Sequence, residues 1–425
     1  MKRGNHAASM QGLGVACGLA AGVWLGGAEA PTKLVNVGIS PFTVSLAMVL
    51  GVFVARWTLP TLLKGTNFVF SDLACRAHLI VWAILAGALW AVANTLTVFA
   101  IRDVGLAIAF PLWNANSLIG IFWGWLLFRE MRGAGVRVGS RVLGGTLGIV
   151  AGAVLLAVVT VQHPSAADGH AAHGILAALG ASLLWGTMYV PYRKAYLSGM
   201  NPLSFVTVFT IGELLTMALL AATFGGGFTQ VHAEFSTARH VVFWIFLGGF
   251  CWVIGDLFQH YATKYIGIGR GIPLSNTNQL WGLAWSALVF GELTHVNAAG
   301  RWLIAGASLL MILGAVFISS AAAPAREQAS ARQAIARECD RYGLSLEECI
   351  AAQTGAMPGR DVPSKRPWWD FFIVAGAVAV FLWWGLQAQA PPIPMNAFWI
   401  SALSVILVLA AAGSGRMLWK RTRFG

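Results

Sequence analysis

Phe110-Pro111-Leu112-Trp113-Asn114-Ala115-Asn116-Ser117-Leu118-Ile119-Gly120 opens a stretch that runs on to Phe128-Arg129-Glu130. It returns as Ile272-Pro273-Leu274-Ser275-Asn276-Thr277-Asn278-Gln279-Leu280-Trp281-Gly282, running on to Phe290-Gly291-Glu292. The offset is 162 residues throughout and needs no gap. A proline and two asparagines at fixed places in two apolar segments indicate a duplicated membrane unit.

The rest of the chain agrees with a membrane setting. It has 425 residues, of which 57% are hydrophobic and 10% charged. A water-soluble domain carries about 25% charged residues. Apolar runs long enough to cross a bilayer as helices recur along the whole length. The sequence therefore describes an all-α polytopic membrane protein. Nineteen tryptophans suit the two interfaces.

These runs predict twelve helices, at 11–31, 40–62, 78–101, 105–128, 138–160, 174–195, 202–224, 240–263, 268–290, 299–321, 371–389 and 395–415. Ser40-Pro41 and Asn201-Pro202 open the second and seventh. The duplication extends beyond the opening motif. Trp90 matches Trp252, Asn94 matches Asp256, Gly144 matches Gly306 and Gly152 matches Gly314. Five helices in 1–161 are thus followed by a polar linker, 162–173, and five more in 174–321. A polar segment, 322–370, precedes an appended hairpin and basic tail, 371–425, joined by Pro391-Pro392-Ile393-Pro394. Lys2, Arg3 and Ala28-Glu29-Ala30 mimic a cleavable signal peptide. The first helix nevertheless shares Trp24-Leu25-Gly26 and Pro31 with Trp185-Gly186 and Pro191, so it is expected to be retained.

Five is odd, so the second unit must enter the membrane from the opposite side. With the N-terminus inside, the inner loops and tails collect 23 of the 28 basic residues. The outer loops hold Lys33, Arg102, Arg239 and Arg301, and Arg56 lies within the second span. This bias predicts an N-in, C-in inverted repeat in a cell (inner) membrane. The net charge of +12 belongs to those inner loops and indicates no nucleic-acid partner.

Polar side chains inside hydrocarbon are costly and face a cavity or a partner. Asn114, Asn116, Asn276, Asn278 and Gln279 converge on mid-membrane depth, with Trp113, Trp281 and Trp285 beside them. Amides exchange hydrogen bonds with hydroxyls, and indole faces cover the C–H face of a sugar ring. The competing reading makes the amides joints between helices. Pro111 and Pro273 predict kinks. Trp113 and Ser275 are where the two motifs differ most, and are expected to discriminate substrates. Glu213, near mid-span, and the i, i+4 pair Asp256 and His260 are candidates for proton coupling. Glu29, near a membrane face, is a further candidate. Glu130 and Glu292 end their helices, solvated or paired with arginine. Glycines 120, 124, 144, 148, 152, 282, 306 and 314 are expected to allow close packing.

No GxSxG, HExxH or P-loop occurs, so the chain reads as a non-enzyme without cofactor. His163, His170 and His173 read as linker residues and no metal is expected. Cys17, Cys75 and Cys251 read as small apolar side chains, and Cys339 and Cys349 as reduced thiols.

The proline–asparagine motifs, each running to Phe-x-Glu, together with Leu184-Trp185-Gly186-Thr187-Met188-Tyr189-Val190-Pro191-Tyr192-Arg193-Lys194, resemble the glucose/ribose porter family of bacterial sugar transporters. The resemblance covers residues 10–321. It implies membership of the drug/metabolite transporter (EamA-like) superfamily, a ten-helix inverted repeat, and uptake of a sugar with a proton. Residues 322–425 depart from it. The alternatives are a superfamily exporter of amino acids or other metabolites, and a non-transporting sensor or scaffold that uses 322–425.

Overall fold

The computed structural model describes residues 2–28, 30–31, 39–104, 109, 112–160, 171–291, 293, 297–321, 325–354, 366–389 and 394–425. The helices are α1 (Lys2–Gly27), α2 (Pro41–Leu63), α3 (Thr66–Cys75), α4 (Ile80–Val104), α5 (Asn116–Phe128), α6 (Val136–Thr160), α7 (Ala171–Leu197), α8 (Pro202–Phe224), α9 (Gly227–Thr237) and α10 (Arg239–Ile266). They continue with α11 (Ile268–Ser275), α12 (Asn278–Ala284), α13 (Ala298–Ser320), α14 (Ala325–Tyr342), α15 (Leu346–Thr354), α16 (Trp369–Gly385) and α17 (Ala397–Thr422). Nine helices among the described residues are long and apolar enough to cross a membrane, and α5 and α16 are shorter apolar ones.

The predicted openings form as caps. Ser40 Oγ accepts from Thr43 N at the head of α2, and Asn201 Oδ1 accepts from Leu203 N at the head of α8, each followed by proline. Those prolines forgo an N–H that a first turn leaves unsatisfied anyway. The short helices α3 and α9 were not expected, because neither carries an apolar run of membrane length.

Contacts between loops define two ends. At one, Arg193 pairs with Glu130, Lys194 with Glu338 and Arg270 with Glu327. Arg366 Nη2 donates to Leu62 O there, and Asn201 Nδ2 to Phe424 O. We refer to this as the basic end. At the other, Ser40 N and Oγ donate to Glu234 Oε2, Gln389 N donates to His240 O, and Asn396 N donates to Val289 O. Against the opposing effect of burial, hydrogen bonds from Thr43, Gln230 and Ser40 hold the Glu234 carboxylate below its ordinary range.

Glycine sets the closest crossings. A Cβ on Gly51 would overlap Phe246 O, and one on Gly249 would overlap Met48 O, where α2 crosses α10. The crossing of α4 and α8 repeats this with Gly87 on Phe209 O and Gly212 on Ile84 O. Where α6 crosses α13, a Cβ on Gly145 would lie 2.6 Å from Gly314 O and one on Gly314 2.5 Å from Gly145 O. Gly152 and Gly314 thus pack closely, as expected. Gly144 and Gly306 do not: nothing lies within 4 Å of a Cβ at either. They face outward on α6 and α13, one residue or more off the contact stripe. Gly249→Ala is expected to lower stability by about 1–3 kcal/mol, since a backbone carbonyl cannot move aside as a side chain would. Gly144→Ala is expected to melt at or above wild type, having open space and better helix propensity. Thermal melts in detergent compare the two.

The appended hairpin is packed into the bundle. Phe381 of α16 meets Phe246 and Phe250 of α10 at 5.0 and 4.8 Å. Trp24 Nε1 of α1 donates to Leu407 O of α17 at 2.9 Å. The predicted polar segment supplies α14 and α15, whose Cys339 and Cys349 are buried free thiols. Burial and the neighbouring Cys349 push the Cys339 thiol up to about 12, so it stays protonated at neutral pH.

Candidate functional site

The ninth predicted helix is not one kinked helix. It stops at Ser275, turns through Asn276 and Thr277, restarts as α12, and passes a π-helical turn at Trp285–Val289. The fourth turns at Asn114 and Ala115 and restarts as α5. The two interruptions stand 162 residues apart, at matching places of the repeated motif. Pro273 explains the break better than a kink does. It withholds one helical N–H, and the asparagines that follow offer the backbone alternative partners.

The broken ends meet. Asn276 Nδ2 lies 3.0 Å from Asn116 Oδ1, 2.5 Å from Ser117 Oγ and 3.2 Å from Asn114 O. All four residues are buried. Asn278 and Gln279 follow at half-buried positions; Asn278 Oδ1 and Gln279 Nε2 are enclosed atoms with no hydrogen-bond partner among the described residues. Trp113 is buried edge-on to Trp185 at 5.8 Å. Trp281 and Trp285 go elsewhere, into a cluster with Trp399, Leu403 and Leu407 of the appended hairpin. Ser275 Oγ accepts from Gln259 Nε2 at 2.9 Å, and Gln259 Nε2 lies 3.4 Å from the Tyr189 hydroxyl.

A second polar group occupies α2, α8 and α10. Arg56 Nη1 donates to Glu213 Oε2 at 2.8 Å, and Arg56 Nη2 donates to Asp256 Oδ2 at 2.6 Å. Asp256 Oδ2 also lies 3.1 Å from His260 Nε2. His260 Nδ1 bonds the Tyr196 hydroxyl, and the His260 ring stacks on Tyr192 at 4.1 Å. If Tyr196 donates to Nδ1, Nε2 carries the proton given to Asp256. The Arg56 guanidinium lies 4.0 Å from the Phe209 ring centre. Arg56, Glu213, Asp256 and His260 are all fully buried.

Glu213, Asp256 and His260 are thus brought together around Arg56. Glu130 pairs with Arg193 at 3.0 Å. Glu29, Pro111 and Glu292 lie outside the described residues. Arg56 is the residue that reasoning from sequence left aside. A lone arginine sixteen residues into an apolar span was the available signal, because such a charge needs a buried partner. Tyr196 and Gln259 gave no comparable signal.

Comparison with known proteins gives one family. Residues 175–339 match the family model described as Sugar transport protein. This bears out the resemblance to sugar transporters of the glucose/ribose porter type over those residues. No curated protein matches the chain. A solved structure titled only "Crystal structure of protein" is 17% identical, with a TM-score of 0.48, over 72% of this chain and 95% of that one.

Proposed function

Starting from the sugar-transport match over residues 175–339, we propose that the protein is a secondary transporter moving a monosaccharide by alternating access. Its ten-helix body is two inverted five-helix units. The interhelical contacts support this reading because they come in exchanged pairs. Contact of α1 with α10 is answered by α7 with α4, α2 with α10 by α8 with α4, and α5 with α7 by α11 and α12 with α1. Adding α16 and α17 makes twelve crossings of a cell (inner) membrane, with both termini at the basic end, which is cytoplasmic by its arginines and lysines.

The observation that carries the function is the meeting of two helix breaks through Asn276, Asn116 and Ser117. Broken helices at the bilayer midplane expose main-chain and amide groups to a solute. Here the amides satisfy one another, and a sugar hydroxyl can take either partner's place as the halves part. Asn278 Oδ1 and Gln279 Nε2 supply a further acceptor and donor, and Trp113 an apolar face.

Proton coupling rests on charge arithmetic. One guanidinium faces two carboxylates at full burial. With both ionised and His260 neutral the cluster carries one net negative charge; one proton on it makes it neutral. An uncompensated charge in low dielectric is expensive. The repeat mates of Arg56, Glu213, Asp256 and His260 are Met217, Val52, Asn94 and Val98. The matching crossing is therefore built without charge, and the fold alone does not call for the cluster.

Proteoliposomes loaded with individual monosaccharides test the proposal. At least one sugar is expected to exchange. Asn276→Ala is expected to lower its kcat/KM by about 10- to 100-fold, the loss of one or two buried hydrogen bonds. Absence of uptake for every sugar overturns transport, and wild-type rates in Asn276→Ala overturn the assigned site.

A further inference from the structure

The basic end is shut by two layers of contact. The inner one is Glu130. Its Oε1 accepts from Ile268 N at 3.1 Å and its Oε2 from Gly269 N at 2.9 Å, at the head of α11. Arg193 closes over the same carboxylate, and its Nη1 donates to the carbonyls of Thr263 and Lys264, each at 3.1 Å. Gly267, at φ +82°, fits the clasp because any Cβ there would lie 2.7 Å from Glu130 Oε1. Glu130 comes from the first five-helix unit. Arg193, Ile268 and Gly269 come from the second. The pair of halves cannot part at this end while the clasp holds.

The outer layer is the helical hairpin α14–α15. Glu327 grips Arg270 with both oxygens, at 2.6 and 2.9 Å, and accepts from Met131 N, one residue past Glu130. Glu338 takes Lys194, the neighbour of Arg193, at 2.9 Å. Ala352 O takes Lys264 Nζ at 3.0 Å. Tyr342 accepts from Trp82 Nε1 of α4 at 3.1 Å. Ala334, Ile335, Cys339 and Cys349 complete the apolar seat and belong to the same buried cluster as Tyr192 and Tyr196. The hairpin therefore crosses from the first unit (Trp82, Met131) to the second (Lys194, Lys264, Arg270), and each charged contact lies within a few residues of the clasp.

We propose that Glu130 is the gate residue of the basic end and that residues 325–354 latch this gate shut, restraining transport until the hairpin lifts. The proposal rests on the transport reading for its consequence, but its geometry can be tested separately. The latch is held by charge pairs, so reversing one charge weakens it.

The full-length protein in nanodiscs decides this by hydrogen–deuterium exchange over 266–272, the segment whose amides Glu130 holds. Glu338→Lys touches α7 and not α11. It is expected to speed exchange there by about tenfold or more through loss of the latch, while 202–224 stays unchanged. Glu338→Lys combined with Lys194→Glu is expected to restore slow exchange, as a reciprocal pair does in a double-mutant cycle. Glu130→Gln is expected to speed exchange at 266–272 with the latch intact. No change at 266–272 in Glu338→Lys, or no recovery in the charge swap, overturns the latch; no change in Glu130→Gln overturns the gate. In proteoliposomes, D-glucose counterflow is expected to rise about three- to tenfold in Glu338→Lys, the scale of a coupling of this kind. A faster clasp with unchanged counterflow overturns the restraining role. A wild type that moves no sugar overturns the transport reading alone, and the exchange data still decide on clasp and latch.

Discussion

Arg56→Met is expected to abolish transport and to destabilise the protein more than any other single substitution in the membrane region. Methionine keeps the stem volume and removes the guanidinium. Glu213 and Asp256 then sit fully buried with no cation between them. Breaking a buried ion pair from one side costs about 3–5 kcal/mol, because the abandoned charge stays desolvated. The Phe209 ring, 4.0 Å from the guanidinium, loses its cation as well. Transport is expected to fall by about 100-fold or more, the scale on which misplaced site groups act. Instability alone would also stop transport, so a second variant is needed. Arg56→Met with Glu213→Gln and Asp256→Asn removes every charge of the triad together, and neutral replacements of a buried ionic group are often harmless to folding. Its melting temperature is expected to return close to wild type while pH-driven accumulation stays lost. If the neutral variant still accumulates sugar under a pH gradient, the cluster is a packing device and coupling lies elsewhere.

Helix positions were legible because hydropathy at membrane length is a strong signal: the predicted 202–224 is α8 to the residue, and 138–160 and 299–321 differ from α6 and α13 by one or two residues at their ends. Three things were hidden. The short helices α3 and α9 lie at the bundle ends, where a hydropathy run has no reason to appear. The breaks at Asn114 and Asn276 were read as kinks, because a proline in sequence announces a lost hydrogen bond without saying whether the chain recovers within one turn. The crossing glycines Gly51, Gly87, Gly212 and Gly249 passed unnoticed beside Gly144 and Gly306, because which side of a uniformly apolar helix faces a neighbour is not written in its composition.

The site divides in the same way. The amides were visible as a repeated pattern, and Asn276 does meet Asn116. Trp281 and Trp285 were grouped with them by closeness along the chain, yet the π-helical turn and α17 draw those rings into another cluster. In the sequence Glu213 of α8 and Asp256 of α10 stand apart as separate acids. What unites them is Arg56, some 157 and 200 residues distant. Only the folded arrangement of α2 between α8 and α10 brings that guanidinium to both.

Glu213→Gln is expected to separate movement of the sugar from its concentration. Among the ionisable groups described, Asp256 is shared by Arg56 and His260, whereas Glu213 meets Arg56 alone. Glutamine is nearly isosteric, and its carbonyl oxygen can still accept from Arg56 Nη1. The remaining charges, Arg56 and Asp256, balance without a proton. The neutral state that the wild type reaches only by protonation is then permanent. Sugar counterflow, which needs no net proton movement, is expected to persist within about threefold of wild type and to lose its dependence on pH. Accumulation is expected to disappear. One proton per sugar is worth about 1.4 kcal/mol per pH unit, so the wild type should concentrate its sugar about tenfold across one unit, acid side to alkaline side. The variant should stop at a ratio of about one under the same gradient. Uptake into proteoliposomes with imposed pH steps measures both quantities. Tenfold accumulation retained by Glu213→Gln would remove Glu213 from the proton path, and a wild type that never exceeds equality would leave the buried cluster without a coupling role.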